Sequence, residues 1–164
     1  MILTITPPEE TALQAHLHKL RTQLHEDPEL SWQEHRTTRL VRRELEALCL
    51  EPVPLGLPTG TAALLRGALP GPTVGLRADL DALPITERTG AEFSSRVPGV
   101  MHACGHDIHM AALLGAARLL AARREQLAGN VLFLFQPAEE AATGAMQVLE
   151  PVSYTHLRAH ETKA

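Results

Sequence analysis

The stretch Asn130-Val131-Leu132-Phe133-Leu134-Phe135-Gln136 decides the fold. It is an apolar run of strand length, and Pro137 follows it directly. A short apolar run bounded in this way is consistent with a strand buried inside a sheet. We therefore expect a β-sheet that other elements of the chain cover.

The segments before this strand supply further strands and the helices that flank them. Residues 61–66 and 73–79 read as strands, and the Pro- and Gly-rich residues 52–60 read as a loop or short edge strand. Helical spacing of apolar residues predicts helices over about 7–27, 32–48, 106–124 and from 143 to 150. This order favours an α/β sandwich, in which helices flank a central, largely buried sheet.

Local signals define the start of the second helix and the end of the last. Ser31 and Glu34 have the spacing of a capping box, which predicts that the second helix begins near Trp32. We interpret Trp32 as a hydrophobic staple for that helix. Pro151 is expected to break the helix that Thr143 begins, because proline cannot donate the backbone hydrogen bond.

Composition excludes several classes of protein. The chain has 164 residues, which suggests one domain, and its net charge is −4 with no lysine or arginine cluster, so we expect no nucleic-acid partner. Residues 1–5 lack the features of a secretory signal, and residues 111–122 are too short to span a bilayer. We therefore expect a cytoplasmic protein without a membrane partner. Cys49 reads as a small buried residue.

The first polar cluster follows the strand at residues 73–79. Asp79 and Asp81 are two residues apart and would point the same way if the strand persists. They could orient a metal-bound histidine or bind a metal directly. The alternative is a solvated strand end with an aspartate that forms a turn.

The second cluster is His102-Ala103-Cys104-Gly105-His106-Asp107-Ile108-His109, just before a helix. Thiolate, imidazole and carboxylate donors are crowded here, and zinc accepts this mixture of ligands. The helix N-terminus is expected to lower the pKa of the Cys104 thiol, and Gly105 lets Cys104 and His106 face one centre. His102 and His109 are equally well read as packing residues.

The third cluster is Gln136-Pro137-Ala138-Glu139-Glu140, at the end of the apolar strand. One of the two acids could ligate a metal, while the other could act as a general base toward water. Taken alone, adjacent glutamates at a helix start are often only solvated. We interpret His16, His18, His25 and His35 as surface or packing residues.

These clusters, together with Leu24-His25-Glu26-Asp27-Pro28-Glu29-Leu30, resemble the signatures of the zinc- or manganese-dependent amidohydrolases. That family includes hippurate hydrolase, bacterial aminoacylases, N-acetyl-diaminopimelate deacetylase and the plant auxin-conjugate hydrolases. The resemblance covers about residues 20–150 and indicates the N-terminal part of a metallopeptidase-like catalytic domain.

The resemblance implies a site with two divalent ions, Zn or Mn, that hydrolyses the amide bond of N-acyl amino acids. Cys104, His106 and Glu140 would be metal ligands, and Glu139 would be the general base. Asp79 and Asp81 would hold the orientation of the site, and one of them would count as catalytic.

The chain also departs from the family pattern. Family members are more than twice as long and supply two further histidine ligands, together with a smaller domain that covers the substrate and dimerises. Residues 151–164 do not resemble the family, and Ala141 replaces a usual glycine. We therefore expect an incomplete fragment with little or no activity.

Two other hypotheses remain open from the sequence. The chain could be a non-catalytic metal-binding or interaction module, or Cys104 could be a nucleophile that a histidine assists.

Overall fold

A computed structural model of the protein describes residues 6–155, which form helices on both faces of one mixed sheet. Residues 1–5, for which we expect no secretory signal, lie outside the described part. Residues 156–164, most of the segment that does not resemble the family, also lie outside it. The helices and strands, in chain order, are α1 (Pro7–Glu26), α2 (His35–Ala47), β1 (Glu51–Val53), β2 (Thr61–Arg66), β3 (Leu69–Asp79), α3 (His106–Ala121), β4 (Ala128–Gln136) and α4 (Gly144–Thr155).

The sheet has the order β1-β2-β4-β3. Strand β4 is antiparallel to β2 and parallel to β3, and α3 lies in the long crossover that a parallel pair requires. In this register Asp79 lies opposite Gln136. The segments that follow β3 and β4 therefore leave the sheet at the same end, where the carboxyl ends of both strands lie.

The alternation of side chains along β4 builds a core on each face of the sheet. Val131, Phe133 and Phe135 pack in the cluster shared with α1, α2 and α3, while Leu132 packs on the other face with Val148 of α4. Neighbouring strand residues point to opposite faces, so both faces of β4 are buried. This confirms the predicted sheet with flanking helices.

Strand β3 is the exception to the burial of the sheet. It begins at Leu69, four residues earlier than predicted, and its register with β4 shifts between Leu69 and Thr73. Because β3 lies at an edge of the sheet in the described part of the chain, most of its residues are exposed, including Val74.

Three local predictions were wrong. Helix α2 begins at His35, because Ser31 and Glu34 form hydrogen bonds elsewhere and make no capping box. Helix α4 continues past Pro151 to Thr155, although proline deprives it of one hydrogen bond. Cys49 is exposed, since it occupies the left-handed turn after α2 with φ of 54°.

Within residues 6–155, no helix combines the length and the apolar character needed to cross a membrane.

Candidate metal site

Three loops meet at the edge of the sheet where β3 and β4 end. One loop follows β3 and carries Asp81, and a second follows β4 and carries Glu139 and Glu140. The third precedes α3, where Gly105 adopts the left-handed conformation that glycine accepts without strain. Since α3 begins at His106, its first turn places that side chain above the sheet edge.

Cys104, His106 and Glu140 come together at this point. Each offers one ligand atom, and these atoms all lie within 4.8 Å of one another. It is the one cluster of at least three potential metal-binding side chains within residues 6–155. His102 and His109 are not part of it. The structure thus brings together the three residues that the resemblance names as ligands.

The imidazole of His106 is held in one orientation. Its Nδ1–H donates to the backbone carbonyl of Asp81 at 2.8 Å, because a carbonyl oxygen can only accept. Nε2 is then turned toward Glu139 and Glu140, each 3.9 Å away. The Asp81 side chain is the main cause that raises the pKa of His106 to about 9, although burial opposes it. The surrounding negative charge that favours a protonated imidazole would equally favour a divalent cation.

Asp81 is the carboxylate that joins the three loops. Its side chain is buried, and its two oxygens accept hydrogen bonds from the backbone N–H groups of Glu139 (3.1 Å) and Glu140 (2.9 Å). Ser31 Oγ also donates to Asp81 Oδ2 at 2.7 Å. Burial by itself would raise the pKa of Asp81, but hydrogen bonds from His106, Ser31 and Glu140 outweigh it and lower the pKa to about 2.

The pKa of the Cys104 thiol is raised, contrary to the expectation from the helix N-terminus. The largest cause is its interaction with the Glu140 side chain, followed by burial and by the charges of Glu140, Glu139 and Asp79. Neighbouring carboxylates therefore account for most of the rise in the pKa of Cys104. A neutral thiol is a poor nucleophile.

The two remaining predicted residues lie at the margin of the cluster. Asp79 is the last residue of β3, and its Oδ1 accepts a hydrogen bond from Arg77 Nε at 2.9 Å. The side chain of Glu139 is 40% exposed, against 19% for Glu140. Of the two acids, Glu139 is therefore the one more open to solvent and to a substrate.

The residues present fit a divalent metal. Glu140 Oε1 is buried and has no hydrogen-bond partner within the described part of the chain. A buried carboxylate oxygen without a hydrogen bond is costly, and a cation would satisfy it. Sulfur, imidazole nitrogen and carboxylate oxygen together form a donor set that zinc accepts.

A buried network behind the cluster was not predicted from the sequence. His25 Nδ1 lies 2.8 Å from Asp107 Oδ2, which also accepts from Arg21 Nε at 2.9 Å. His25 Nε2 faces Glu87 at 3.3 Å. The interpretation of His25 as a surface or packing residue misses this network, and the only signal in the sequence is its position in the motif at residues 24–30. The network ties α1 to the first turn of α3.

His102 is buried beside this network. Burial is the largest cause that lowers its pKa to about 4, although the charge of Asp107 opposes it. Neither ring nitrogen has a hydrogen-bond partner among the described residues.

Glu87 is expected to make a contribution to stability that depends on pH. Burial tends to raise its pKa, but hydrogen bonds from the Ser95 backbone, Thr89 and His25 outweigh it, so the pKa is lowered from its ordinary value of 4.5. A lowered folded-state pKa gives stability that is complete above 4.5 and is lost as the pH falls through the folded-state value. The free energy of unfolding of the wild type should therefore exceed that of Glu87→Gln by a constant amount above about pH 5.5, and the gap should shrink below pH 4.5.

Urea unfolding of both chains between pH 7 and pH 3 checks this expectation. Glu92→Gln is the control, because Glu92 is an exposed glutamate of the same loop. A gap between wild type and Glu87→Gln that stays constant down to pH 3 would contradict the role assigned to Glu87.

The fold and the three-loop cluster define an α/β protein with a candidate metal site where strands β3 and β4 of its sheet end. A family comparison agrees with this class, since the profile of peptidase family M20/M25/M40 matches residues 75–163. The chain belongs to this family, and the resemblance drawn from the four motifs is confirmed. The matched residues extend past Glu150 to residue 163.

Individual relatives and one solved structure support the same assignment. The chain is 50% identical over 142 residues to an N-acetylcysteine deacetylase of Bacillus subtilis, covering 86% of this chain and 37% of the relative. It is 48% identical over 137 residues to an IAA-amino acid hydrolase of Arabidopsis thaliana, covering 83% of this chain and 29% of the relative. The crystal structure of Bacillus subtilis YXEP protein, described as a dinuclear metal binding peptidase from the M20 family, superposes with a TM-score of 0.85 at 49% identity. The superposition covers 90% of this chain and 42% of the YXEP chain.

The chain therefore spans less than half the length of the proteins it matches.

Proposed function

We propose that this chain is part of the catalytic domain of a metal-dependent amidohydrolase that removes the acyl group from N-acyl amino acids. The observation that carries the proposal is the meeting of Cys104, His106 and Glu140 within 4.8 Å. The relatives support the substrate class, because their names describe an N-acetylcysteine deacetylase and an IAA-amino acid hydrolase. Both names indicate hydrolysis of an amide that carries an amino acid.

Cys104, His106 and Glu140 would hold a divalent ion, zinc or manganese, as part of a site that holds two ions when complete. Such ions polarise a carbonyl oxygen and lower the pKa of water toward neutrality. Their binding needs a deprotonated thiol and a neutral imidazole, so uptake would release protons. The hydrogen bond from His106 Nδ1–H to the Asp81 carbonyl leaves Nε2 as the ligating atom.

Glu139 would act as the general base. Its carboxylate lies at the exposed margin of the cluster, 3.9 Å from His106 Nε2, and so can reach both a water and a substrate at the site. It would take a proton from the attacking water and then deliver it to the leaving nitrogen. The adjacent Glu140 is turned inward, which separates the ligand from the base.

Asp81 and Asp79 would orient the site. Asp81 fixes the backbone of both glutamates and the tautomer of His106, so it acts through other residues and needs no contact with substrate. Asp79 is paired with Arg77 and contributes negative charge beside the cluster.

The chain alone is expected to show little turnover, because the described residues supply three ligands for a site with two ions. We propose that further ligands, a covering domain that also dimerises, and a cytoplasmic setting belong to the whole protein. No membrane or nucleic-acid partner is part of this proposal.

Zinc binding by the 164-residue chain tests the proposal. Isothermal titration should show binding near one ion per chain, and Cys104→Ser should weaken the affinity by at least about tenfold, because a thiolate ligand is lost. Cys49→Ser is the matched control, since Cys49 is the other free cysteine and lies in the turn after α2, away from the cluster. It should bind zinc as the wild type does.

Failure of the wild-type chain to take up zinc or manganese would overturn the metal assignment. Zinc binding of full affinity in Cys104→Ser would overturn the assignment of that ligand. The alternative in which Cys104 is a nucleophile is disfavoured, because its sulfur lies within 4.8 Å of a carboxylate and an imidazole ligand atom and so belongs to a donor set that zinc accepts.

A further inference from the structure

The short segment Ser31–Glu34 between α1 and α2 contacts both loops that carry the acids of the site. Ser31 Oγ donates to Asp81 Oδ2 at 2.7 Å. Trp32 Nε1 donates to Thr143 Oγ1 at 3.0 Å, and Glu34 Oε1 accepts from the backbone N–H of Ala138 at 2.8 Å. We call these four residues the brace and residues 137–143 the acid loop. The contacts at Ala138 and Thr143 lie on either side of Glu139 and Glu140 in the chain.

Glu34 is the central residue of the brace. Its side chain is fully buried, and its second oxygen accepts a hydrogen bond from Thr59 Oγ1 at 2.8 Å. Burying a carboxylate is costly unless every oxygen is hydrogen bonded, and an apolar residue would fill the same space without that cost. Glu34 is a buried carboxylate whose one oxygen accepts a hydrogen bond from a loop N–H. This indicates that Glu34 orients the loop and does not merely fill space.

The acid loop adopts a backbone that requires such support. Ala138 has φ of 50° and Ala142 has φ of 53°, and the left-handed conformation costs roughly 1–2 kcal/mol for each residue with a side chain. Conformations of this kind persist where surrounding contacts hold them. Glu34 holds the N–H of Ala138 itself, and Trp32 holds Thr143, the neighbour of Ala142. The brace thus acts at both strained points.

We propose that Glu34 is a positioning residue of the hydrolase site: through Ala138 it fixes the acid loop so that Glu140 faces Cys104 and His106. This inference rests on the proposed metal-dependent function. Glu34 does not touch the cluster, and its effect passes through the backbone of the acid loop. Ser31 completes the same arrangement by fixing Asp81, which binds the N–H groups of Glu139 and Glu140.

Two variants of Glu34 separate positioning from simple filling of space. Glu34→Ala leaves the N–H of Ala138 and the hydroxyl of Thr59 without their acceptor. Glu34→Gln keeps the shape of the side chain: its amide oxygen can accept from Ala138 while its amide nitrogen donates to Thr59. Glu44→Ala is the control, because it removes a partly buried glutamate of α2 that binds His16 and Arg118 and makes no contact with the acid loop.

Two readouts are measured on the 164-residue chain, zinc affinity and amide hydrogen exchange by NMR. Glu34→Ala should weaken zinc binding about 10- to 100-fold, the range typical for partners that orient metal ligands. It should also speed exchange of the Ala138, Glu139 and Glu140 amides by at least about tenfold, relative to amides of β2 and β4. Glu34→Gln should stay within about threefold of the wild type in both, and Glu44→Ala should leave both unchanged at the acid loop.

Each outcome decides the inference. Unchanged zinc affinity in Glu34→Ala, with the wild type binding zinc, would overturn positioning and leave the proposed function intact. Faster exchange spread evenly over the whole sheet would show that Glu34 serves only global stability. A wild-type chain that binds no metal would overturn the proposed function and with it the role of Glu34 toward Glu140, whereas the exchange data would still report whether Glu34 holds the loop.

Discussion

Replacing Asp81 with asparagine is expected to destabilise the chain by about 3 kcal/mol and to weaken zinc binding at least about 100-fold. Both oxygens of Asp81 are acceptors: Oδ1 binds the N–H of Glu139, and Oδ2 binds the N–H of Glu140 and the hydroxyl of Ser31. Asparagine offers one oxygen and one NH₂ group. Whichever way its amide lies, the NH₂ group must face a backbone N–H donor.

The expected size follows from the burial of these groups. A buried donor that loses its acceptor costs about 1–3 kcal/mol, and a hydrogen bond to a charged acceptor is stronger than one to a neutral acceptor. The variant also removes a negative charge beside His106. That charge would otherwise attract the cation. The backbone of the acid loop and the charge of the site therefore change together.

Urea unfolding and zinc titration at pH 7 measure the two effects. Asp27→Asn is the control, because the Asp27 side chain, at the end of α1, forms no hydrogen bond or ion pair among the described residues, so its replacement should change stability by no more than about 0.5 kcal/mol. An Asp81→Asn chain that keeps wild-type stability and zinc affinity would show that these hydrogen bonds are of little consequence.

The sequence predicts the elements of this fold well because their signals are local. The apolar run 130–136 indicates a buried strand by itself, and β4 is that strand, with Phe133 and Phe135 on one face and Leu132 on the other. Helical spacing likewise places α1 and α3 to within a few residues. Such patterns depend on neighbours along the chain, which the sequence displays directly.

The predicted start of the second helix failed because the partners of its two signal residues lie far away in the chain. Ser31 and Glu34 have the spacing of a capping box, yet their acceptor and donors are Asp81, Thr59 and Ala138, the last 104 residues beyond Glu34. A local hydrogen-bonding pattern competes with tertiary contacts, and here the tertiary contacts prevail. The same reason hides the pair of His25 and Asp107, which are 82 residues apart.

At the candidate site, some residues could be predicted from the sequence and others could not. Cys104, His106 and Glu140 could be named because their chemical types and motifs are visible in the sequence, and the structure brings them together. The different positions of Asp79 and Asp81 could not be predicted, because β3 ends at Asp79 and the alternation of a strand does not extend to Asp81. Their assigned roles in catalysis remain predictions.

Replacing Gly144 with alanine is expected to destabilise the chain by at least about 3 kcal/mol and to weaken zinc binding about 100-fold or more. Gly144 is the first residue of α4 and is packed against the acid loop, where its N–H donates to the carbonyl of Ala138 at 3.1 Å. A Cβ atom there would overlap the carbonyl oxygen of Pro137 and lie 2.8 Å from its carbonyl carbon. These are backbone atoms, so no side chain can rotate away, and the loop that presents Glu139 and Glu140 must move.

Helix propensity alone predicts the opposite sign, which makes the result decisive. Alanine is favoured over glycine inside a helix by about 1 kcal/mol, so an unhindered Gly144→Ala would leave the chain equally stable or more stable. Gly90→Ala is the control: unlike Gly144, Gly90 has a positive φ, of 72°, and nothing lies within 4 Å of its added Cβ, so only the backbone strain of roughly 1–2 kcal/mol applies and zinc affinity should not change. Thermal unfolding and zinc titration of both variants measure the difference. A stabilised Gly144→Ala chain would mean that α4 and the acid loop are not in the close contact on which the placement of Glu140 depends.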